Sequence, residues 1–214
     1  MFTGIIQTIG IVRDYNATIS TLTVEIPNSI SNTPLEIGES ISIDGVCLTI
    51  KHLEINTNST LCEFQIGAQT KLVTVISSYV SETCVNLERA STIKTLFGGH
   101  IVQGHVDTTG TITGITNSID SPSIEFSFKP NKVDISPFIV VSGSIAIQGI
   151  SLTIIRYYNG EIVCSIIPHT FSCTTLQYLK IGSLVNIEVD YIGKIILKHV
   201  NLYLENKKNE HISI

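Results

Sequence analysis

The chain has 214 residues, of which 43% are hydrophobic and 14% are charged, and its formal net charge at pH 7 is −5. Without a basic field, nucleic acid and anionic membrane surfaces are poor partners for it. The hydrophobic fraction is ample for buried cores, and the length allows one large domain or two of about 100 residues each.

The cysteines and the apolar runs indicate the compartment. Five cysteines occur without a C-x-x-C pair: Cys47, Cys62, Cys84, Cys164 and Cys173. The odd count argues against a disulfide framework, and the spacing argues against a zinc ribbon. No basic segment of the kind that opens a secretory signal precedes the first apolar residues, and no apolar run approaches the ~20 residues of a membrane span. We therefore expect a cytoplasmic protein.

The first hundred residues read as short strands. Residues 22–26 (LTVEI), 41–43 (ISI), 48–50 (LTI) and 85–88 (VNLE) are β-branched or alternating runs, separated by Gly, Asn, Pro and Asp. Five or six strands of this length are best closed as a small barrel, because a barrel leaves no free sheet edges. A turn or two of helix is expected at residues 70–78 and again at residues 170–179.

The second half repeats the first. Residues 40–50 (SISIDGVCLTI) and 144–154 (SIAIQGISLTI) are identical at seven of eleven positions, with an offset of 151 − 47 = 104. A G-x-x-x-T-x-G pattern begins at both Gly4 and Gly104, and residues 85–88 recur as 185–188 (VNIE). A self-match at half the chain length indicates a duplicated domain. We predict one barrel over residues 1–96, a second over 97–192, and a helix with a tail over 193–214.

The tail carries the longest helical pattern. From Ile192 to Leu204, apolar residues recur at spacings of three and four, which is typical of a helix with one apolar stripe. No third domain follows to cover this stripe, so it can pack on a barrel or on copies of itself. The polar residues after position 205 are expected to fray.

Five segments together resemble the riboflavin synthase family. They are residues 1–6 (MFTGII), 44–49 (DGVCLT), 85–90 (VNLERA), 98–107 (GGHIVQGHVD) and 149–153 (GISLT), in the family's order and spacing. The resemblance spans both copies, from residue 1 to about residue 196. It implies an all-β fold of two tandem, similar six-stranded Greek-key barrels plus a C-terminal α-helix. It also implies a homotrimer drawn together by that helix.

The resemblance also implies a reaction. Family members dismutate two molecules of 6,7-dimethyl-8-ribityllumazine into riboflavin and 5-amino-6-(D-ribitylamino)uracil by moving a four-carbon unit, with neither a metal nor a redox cofactor. Two identical substrates must meet face to face, so two related pockets suit this chemistry. Holding both rings in register can supply ~7–11 kcal/mol of the barrier. The duplicated segments differ at Cys47 and Ser151, where the two pockets would become unequal.

The resemblance assigns catalytic roles to Cys47, His105, Ser151, Thr153 and Asp190. Cys47 is either a polar or nucleophilic group near C7 of the lumazine or a small buried hydrophobe. His105 either moves the proton of the C7-methyl group and assists water addition, or is a histidine satisfied in a barrel mouth.

The remaining polar residues have two interpretations each. Ser151 and Thr153, with Thr49 as a counterpart, either bind the pteridine edge or bond their own backbone. Asp190 either orients the histidine or serine or caps the tail helix. His100 fits the family motif and is expected to have a structural role beside its two glycine neighbours.

Further substrate contacts follow from position in the family motifs, and most are expected to involve the main chain. They are Gly4, Ile5, Ile6, Leu48, Thr49, Gln65, Ile66, Gly67, Thr70, Gly104, Val106, Ser142, Leu152, Ile167, Pro168, His169 and Thr170, together with Cys47, His105, Ser151 and Thr153.

At five positions the chain departs from the family pattern. Gln69 and His169 stand where acids are usual, Gln148 where Asp is usual, Gln103 where Ser is usual, and Ser142 near a usual Lys. Gln69 and Gln148 can still hydrogen-bond a ribityl hydroxyl.

A different class of function also fits the resemblance. Non-catalytic relatives hold a lumazine or flavin as a fluorescent antenna, but they lose the Cys-Leu-Thr and Gly-His elements. Residues 47–49, 104–105 and 151–153 retain those elements here. The sequence therefore favours the enzyme, with the antenna protein as the alternative.

Overall fold

A computed structural model, which describes residues 1–118 and 121–210, contains two closed antiparallel barrels followed by a helix. The first barrel consists of β1 (Thr8–Asn16), β2 (Thr21–Pro27), β3 (Ser40–Ile43), β4 (Val46–Ile55), β5 (Ser59–Gln65) and β6 (Cys84–Arg89). The second consists of β7 (Thr108–Asn117), β8 (Ile124–Pro130), β9 (Ser144–Ile147), β10 (Ile150–Tyr158), β11 (Glu161–Ile166) and β12 (Leu184–Val189).

The two barrels have the same strand order. Around the first barrel the order is β1-β2-β5-β4-β3-β6, and around the second it is β7-β8-β11-β10-β9-β12. Each strand of the first barrel therefore has a counterpart in the second. The predicted pair of similar six-stranded barrels is confirmed.

The repeated motif lies on β4 and β10, and its side chains alternate across the barrel wall. Val46, Leu48 and Ile50 are buried in the first core, as are Ile150, Leu152 and Ile154 in the second. Successive side chains of a strand point to opposite faces, so Cys47, Thr49, Ser151 and Thr153 lie on the outside of the walls. The difference between Cys47 and Ser151 therefore lies on the outer surfaces of the two barrels.

Short helices connect the fifth and sixth strands of each barrel, as the sequence predicts. In the first barrel, α1 (Ala68–Val73) is followed by a 3₁₀ turn at Ile76–Ser78. In the second, α2 (Pro168–Ser172) is followed by a 3₁₀ turn at Thr175–Tyr178. Further single 3₁₀ turns occur at Asn28–Ile30 and Ser136–Phe138.

Two buried asparagines join the barrels. The side chain of Asn86 donates to the carbonyl of Gln148 at 3.0 Å and accepts from the amide of Thr175 at 2.8 Å. Asn186 makes the mirror-image pair, donating to the carbonyl of Asp44 at 2.9 Å and accepting from the amide of Val75 at 2.8 Å. Buried amides bonded on both atoms fix the relative orientation of the two barrels.

Two glycines make the closest approach between the barrels. Gly45 and Gly149 have φ angles of 81° and 76°, a region that L side chains rarely adopt. A Cβ atom built on either glycine would lie 2.6 Å from the main-chain nitrogen of the other. The repeated Gly of the motif thus serves the turn between strands and the contact between barrels.

The third helix, α3 (Tyr191–Glu210), leaves the second barrel directly after β12. Its 20 residues correspond to a length of about 30 Å. An ion pair of 2.7 Å between Lys194 and Asp107 anchors its first turn, and Ile192, Ile196 and Tyr203 are more than half exposed further along. The predicted helix is confirmed. The helix continues to Glu210, past residue 206 where fraying is expected to begin, and the remaining tail lies outside the described residues.

None of the helices in the described ranges is long and apolar enough to span a bilayer.

Candidate active site

Two segments cross from one barrel to the other. We call residues 1–7 arm one and residues 101–107 arm two; each leads into the first strand of its own barrel. The arms pair through Phe2 and Val102, whose main-chain groups exchange hydrogen bonds of 2.7 and 3.1 Å. Beyond this pair, Ile6 packs on the core of the second barrel and Val106 on the core of the first. Each barrel is therefore covered by a segment from the other half.

A glycine brings each arm onto the motif strand of the opposite barrel. The carbonyl of Gly104 accepts the amide of Cys47 at 2.9 Å, and the carbonyl of Gly4 accepts the amide of Ser151 at 2.8 Å. Both glycines have φ angles near 78° and 77°, respectively. A Cβ atom on either would lie 2.6 Å from the Cβ of the residue it covers. Only glycine permits this approach at these positions.

The first barrel and arm two together form a surface that we call pocket one. Strands β4 and β5 are neighbours in the barrel, α1 follows β5, and arm two lies across β4. Thr49, Gly67 and His105 are exposed there, whereas Cys47 is half-buried. The predicted residues in this surface are Cys47, Thr49, Gln65, Ile66, Gly67, Thr70, Gly104, His105 and Val106.

The second barrel and arm one form the equivalent surface, pocket two. Strands β10 and β11 pair, α2 follows β11, and arm one lies across β10. Thr153, Ile5 and Ile167 are exposed, and Ser151 is half-buried. The predicted residues in this surface are Gly4, Ile5, Ile6, Ser151, Thr153, Ile167, Pro168, His169 and Thr170.

Pocket two contains a histidine for which the sequence suggested only a structural role. The Nδ1 atom of His100 lies 2.7 Å from the Oγ atom of Ser151, and the Nε2 atom is buried with no protein partner among the described residues. Burial lowers the pKa of His100, and the charge of Asp190 partly opposes that shift. A neutral imidazole can accept a hydrogen bond from the Ser151 hydroxyl at Nδ1, with its own proton on the buried Nε2 atom. His100 therefore joins the candidate catalytic groups.

Asp190 fills one of its two predicted roles, as the cap of α3, and its role in orienting a histidine or serine stays a prediction. It immediately precedes α3, and its Oδ1 atom accepts the amide of Ile192 at 2.9 Å, which caps the helix. Burial lowers the pKa of His100, and the charge of Asp190 partly opposes that lowering. The carboxylate thus links the start of α3 electrostatically to pocket two.

The arms make the pockets unequal. The copies are offset by 100 residues along the arms, so His105 of pocket one corresponds to Ile5 of pocket two. Conversely, His100 of pocket two has no equivalent in pocket one, because residue 200 lies in α3. Pocket one therefore has His105 on its arm, whereas pocket two has His100 from the segment before arm two, together with His169 on α2.

Several predicted residues offer little side chain to a ligand. Leu48, Ile66 and Leu152 are at most 5% exposed and belong to the cores, so their side chains face the barrel interiors. The Gln65 side chain donates to the carbonyls of residues 19 and 20. Ser142 is an exposed residue of the turn before β9, with a φ angle of 66°.

The glutamine departures fall in different surroundings. Gln148 is 4% exposed between the barrels, where its Oε1 atom accepts the amide of Asn186 at 2.7 Å. The expectation that it binds a ribityl hydroxyl is therefore wrong. Gln69 and His169 are exposed on α1 and α2.

Comparison with known proteins places this architecture in a family. The lumazine binding domain family matches residues 3–90 and again residues 103–190. The chain is 38% identical to riboflavin synthase of Saccharomyces cerevisiae over 220 aligned residues, covering 97% of this chain and 89% of that protein. It is 32% identical to riboflavin synthase of Bacillus amyloliquefaciens, covering 100% and 96%. The chain belongs to the riboflavin synthase family.

Solved structures agree with this membership. The crystal structure of LumP complexed with riboflavin superimposes with a TM-score of 0.73 at 25% identity, covering 88% of this chain and 99% of that one. LumP complexed with 6,7-dimethyl-8-(1'-D-ribityl) lumazine gives a TM-score of 0.70 at 23% identity and supports the fold. The resemblance to the riboflavin synthase family read from the motifs is confirmed.

Among the described residues, no group of three or more His, Cys, Asp or Glu side chains could hold a metal ion.

Proposed function

We propose that the chain is a riboflavin synthase, a transferase that dismutates two molecules of 6,7-dimethyl-8-ribityllumazine. One molecule gives up a four-carbon unit to become 5-amino-6-(D-ribitylamino)uracil, and the other accepts the unit to become riboflavin. The observation that carries the proposal is the pair of pockets, equal in construction and unequal in chemistry. Pocket one contains Cys47 and His105, whereas pocket two contains Ser151 and His100, although the two surfaces lie on equivalent strands of the two barrels. Two identical molecules can therefore be bound similarly and treated differently.

The histidines are assigned to proton transfer. The C7-methyl group of the lumazine is acidic, and moving its proton requires a group that can act as a base near physiological pH, as an imidazole can. His105 is exposed on arm two beside Cys47 and can reach a ring lying on pocket one. His100, bonded to Ser151, is the corresponding group in pocket two. Asp190 modulates His100 through its charge.

Main-chain groups and hydroxyls are assigned to binding. Thr49 and Thr153 are exposed on the outer faces of β4 and β10, next to the strand positions covered by the arms. Their hydroxyls suit the carbonyls and ring nitrogens of a pteridine edge. The remaining predicted contacts, including Thr70 and Thr170 on α1 and α2, surround the same surfaces.

We further propose a homotrimer built through α3. The helix projects from the second barrel with exposed apolar residues along its length: Tyr191, Ile192, Ile195, Ile196, Val200, Leu202, Tyr203 and Leu204. An apolar surface of this kind is typical of an interaction site. Truncation before Ile192 should convert the trimer into monomers in sedimentation velocity. A trimer that survives this truncation would refute the role of α3.

A cytoplasmic location is part of the proposal. All five cysteines are free thiols, the form that a reducing compartment maintains. The predicted boundaries at residues 1–96, 97–192 and 193–214 remain our proposed division, with each arm lying on the other half.

One assay tests the activity. The purified chain is mixed with 6,7-dimethyl-8-ribityllumazine, and riboflavin formation is followed by its absorbance and fluorescence. Product formation that depends on the chain supports the enzyme. Tight lumazine binding without product would instead support the antenna-type protein.

A further inference from the structure

Each arm is held by one buried glutamate on the last strand of its own barrel. Glu88 on β6 accepts the amide of Thr3 at 2.7 Å and the amide of Gly4 at 3.0 Å. Glu188 on β12 accepts the amide of Gln103 at 2.7 Å and the amide of Gly104 at 3.0 Å. Both glutamates are 3% exposed. In each arm, one of these hydrogen bonds is donated by the glycine that covers the opposite barrel: Gly4 covers Ser151 and Gly104 covers Cys47.

The two glutamates bind their arms differently. Glu88 also accepts the Thr3 hydroxyl at 2.8 Å, and that hydroxyl in turn accepts the amide of Ile5 at 3.3 Å. Gln103 has no hydroxyl in the equivalent position, and Glu188 instead accepts the amide of His105 directly at 3.0 Å. The amide of His105 thus donates directly to the carboxylate of Glu188. The amide of Ile5 instead donates to the Thr3 hydroxyl, which in turn donates to Glu88.

Hydrogen bonds to an ionised carboxylate are stronger than bonds between neutral groups. Burial raises the pKa of both Glu88 and Glu188, and the amides of the arms oppose this rise. At Glu188, Lys194 also lowers the pKa and Asp107 raises it. Each carboxylate is therefore satisfied mainly by the arm it holds, so the arm and the glutamate fix one another.

We propose that Glu188 and Glu88 are positioning residues, Glu188 for pocket one and Glu88 for pocket two. Each carboxylate fixes the conformation of one arm and thereby sets ligand binding at the barrel which that arm covers. The identity of the ligand rests on the proposed function. The positioning itself rests on the contacts of the arms.

The test uses the full-length variants Glu188→Gln and Glu88→Gln. Glutamine keeps the shape but replaces one acceptor oxygen by an NH₂ group, which cannot accept the amides. Binding of 6,7-dimethyl-8-ribityllumazine is measured by isothermal titration calorimetry, with two classes of site expected in the unmodified chain. Loss of charge-assisted bonds should weaken one class by about tenfold or more in each variant and leave the other class within about twofold.

Histidine resonances identify which pocket has changed. In isotope-labelled protein, Glu188→Gln should shift the signals of His105 and leave those of His100 in place. Glu88→Gln should shift those of His100, whose amide bonds the carbonyl of Thr3, and leave those of His105 in place. A glutamate that merely supported the fold would lower thermal stability without this selectivity. Equal weakening of both sites by each variant, or of neither site, would overturn the proposal.

If a glutamate variant fails to fold, a milder pair of matched variants, Thr3→Val and Gln103→Val, still tests the proposal. Thr3→Val removes only the hydroxyl that bonds Glu88, and it should weaken pocket two severalfold. In the described structure Glu188 receives only main-chain hydrogen bonds from arm two, so Gln103→Val should leave pocket one within about twofold of its original affinity. Equal effects of Thr3→Val and Gln103→Val would count against the proposal.

The assay of the unmodified chain separates the two proposals. If the chain forms no riboflavin but the glutamate variants lose different binding sites, the activity fails and the positioning stands. If riboflavin forms and the variants show no selectivity, the positioning fails and the activity stands.

Discussion

Pocket one and pocket two are built alike and are equipped differently. Each places a motif strand under a glycine of the opposite arm, with carbonyl-to-amide distances of 2.9 and 2.8 Å. Pocket one combines a thiol with His105 on the arm, whereas pocket two combines a hydroxyl with His100, which reaches Ser151 from the segment before arm two. The difference shows that a duplicated scaffold can keep one geometry for binding while the chain connections supply unequal catalytic groups.

The most severe way to break this equivalence is to displace one arm. In Gly104→Ala the new methyl group would lie 2.6 Å from the Cβ of Cys47 at a φ of 78°. Backbone strain and overpacking together cost about 3–5 kcal/mol, so turnover should fall at least about a hundredfold. Steady-state rates and calorimetric melting measure the two effects.

Gly160→Ala is the control for this change. Gly160 has a nearly identical φ of 79°, but a Cβ atom there would contact nothing within 4 Å. It should lower stability by the backbone cost alone and leave turnover unchanged. If Gly160→Ala reduces turnover as much as Gly104→Ala, the arm contact is not what matters.

Replacing the histidines compares the two pockets directly. His105→Gln and His100→Gln should each slow turnover by about a hundredfold, the usual loss of a general acid or base. Far-ultraviolet circular dichroism should show intact barrels in both variants. Single-turnover and pH–rate measurements then show which histidine controls which step. Unchanged rates in either variant would remove that histidine from the mechanism.

The contact between the barrels carries a second inequality, which predicts a pH effect. Asp44 accepts the hydroxyl of Tyr79 at 2.7 Å. In the second copy, Gln148 stands at the position of Asp44 and Leu179 at the position of Tyr79, so the second copy has no hydroxyl there. Burial raises the pKa of Asp44 from 3.8 to about 7. The folded state then binds more protons than the unfolded state between these values, so this residue lowers stability as the pH rises.

Asp44→Asn removes that titration. The unmodified chain should lose about 2 kcal/mol from this residue between about pH 5 and pH 7, at about 1.4 kcal/mol per pKa unit. Asn retains an acceptor for the amide of Asn86, so the variant should show a flatter dependence of stability on pH. Urea unfolding at several pH values across this range measures the free energy of unfolding of both proteins. Parallel profiles for the two proteins would contradict the prediction.

The smallest expected effect concerns the thiol. Cys47→Ser makes the two motif strands alike, and turnover should fall by about tenfold or less, since a hydroxyl keeps the size and polarity but not the nucleophilicity. Cys62→Ala serves as the structural control, because Cys62 is fully buried in the first core and should affect stability rather than rate. A rate unaffected by Cys47→Ser would leave His105 as the distinctive group of pocket one.

Much of the architecture is readable from local patterns. The match between residues 40–50 and 144–154 predicts the duplication, and the short alternating or β-branched runs predict the strands. The spacing from Ile192 to Leu204 predicts α3. These features depend on residues near one another in the chain, and periodicity records them directly.

The exchange of the arms was not predictable in the same way. Nothing local in residues 1–7 shows that Gly4 contacts Ser151, because the contact joins residues separated by most of the chain. The same holds for His100, whose pairing with Ser151 depends on the path of the segment between the barrels. Gln148, expected near the ribityl chain, proved to be buried between the barrels.

The sequence by itself therefore determined the family, the doubled barrel, the terminal helix and the difference between the two copies at Cys47 and Ser151. Only the tertiary structure decided which arm covers which barrel, which histidine serves which pocket, and that Glu88 and Glu188 hold the arms. The physical reason is that strand and helix patterns reflect neighbours along the chain. The pockets are instead made by hydrogen bonds across some 50 to 150 residues of sequence, which no local pattern specifies.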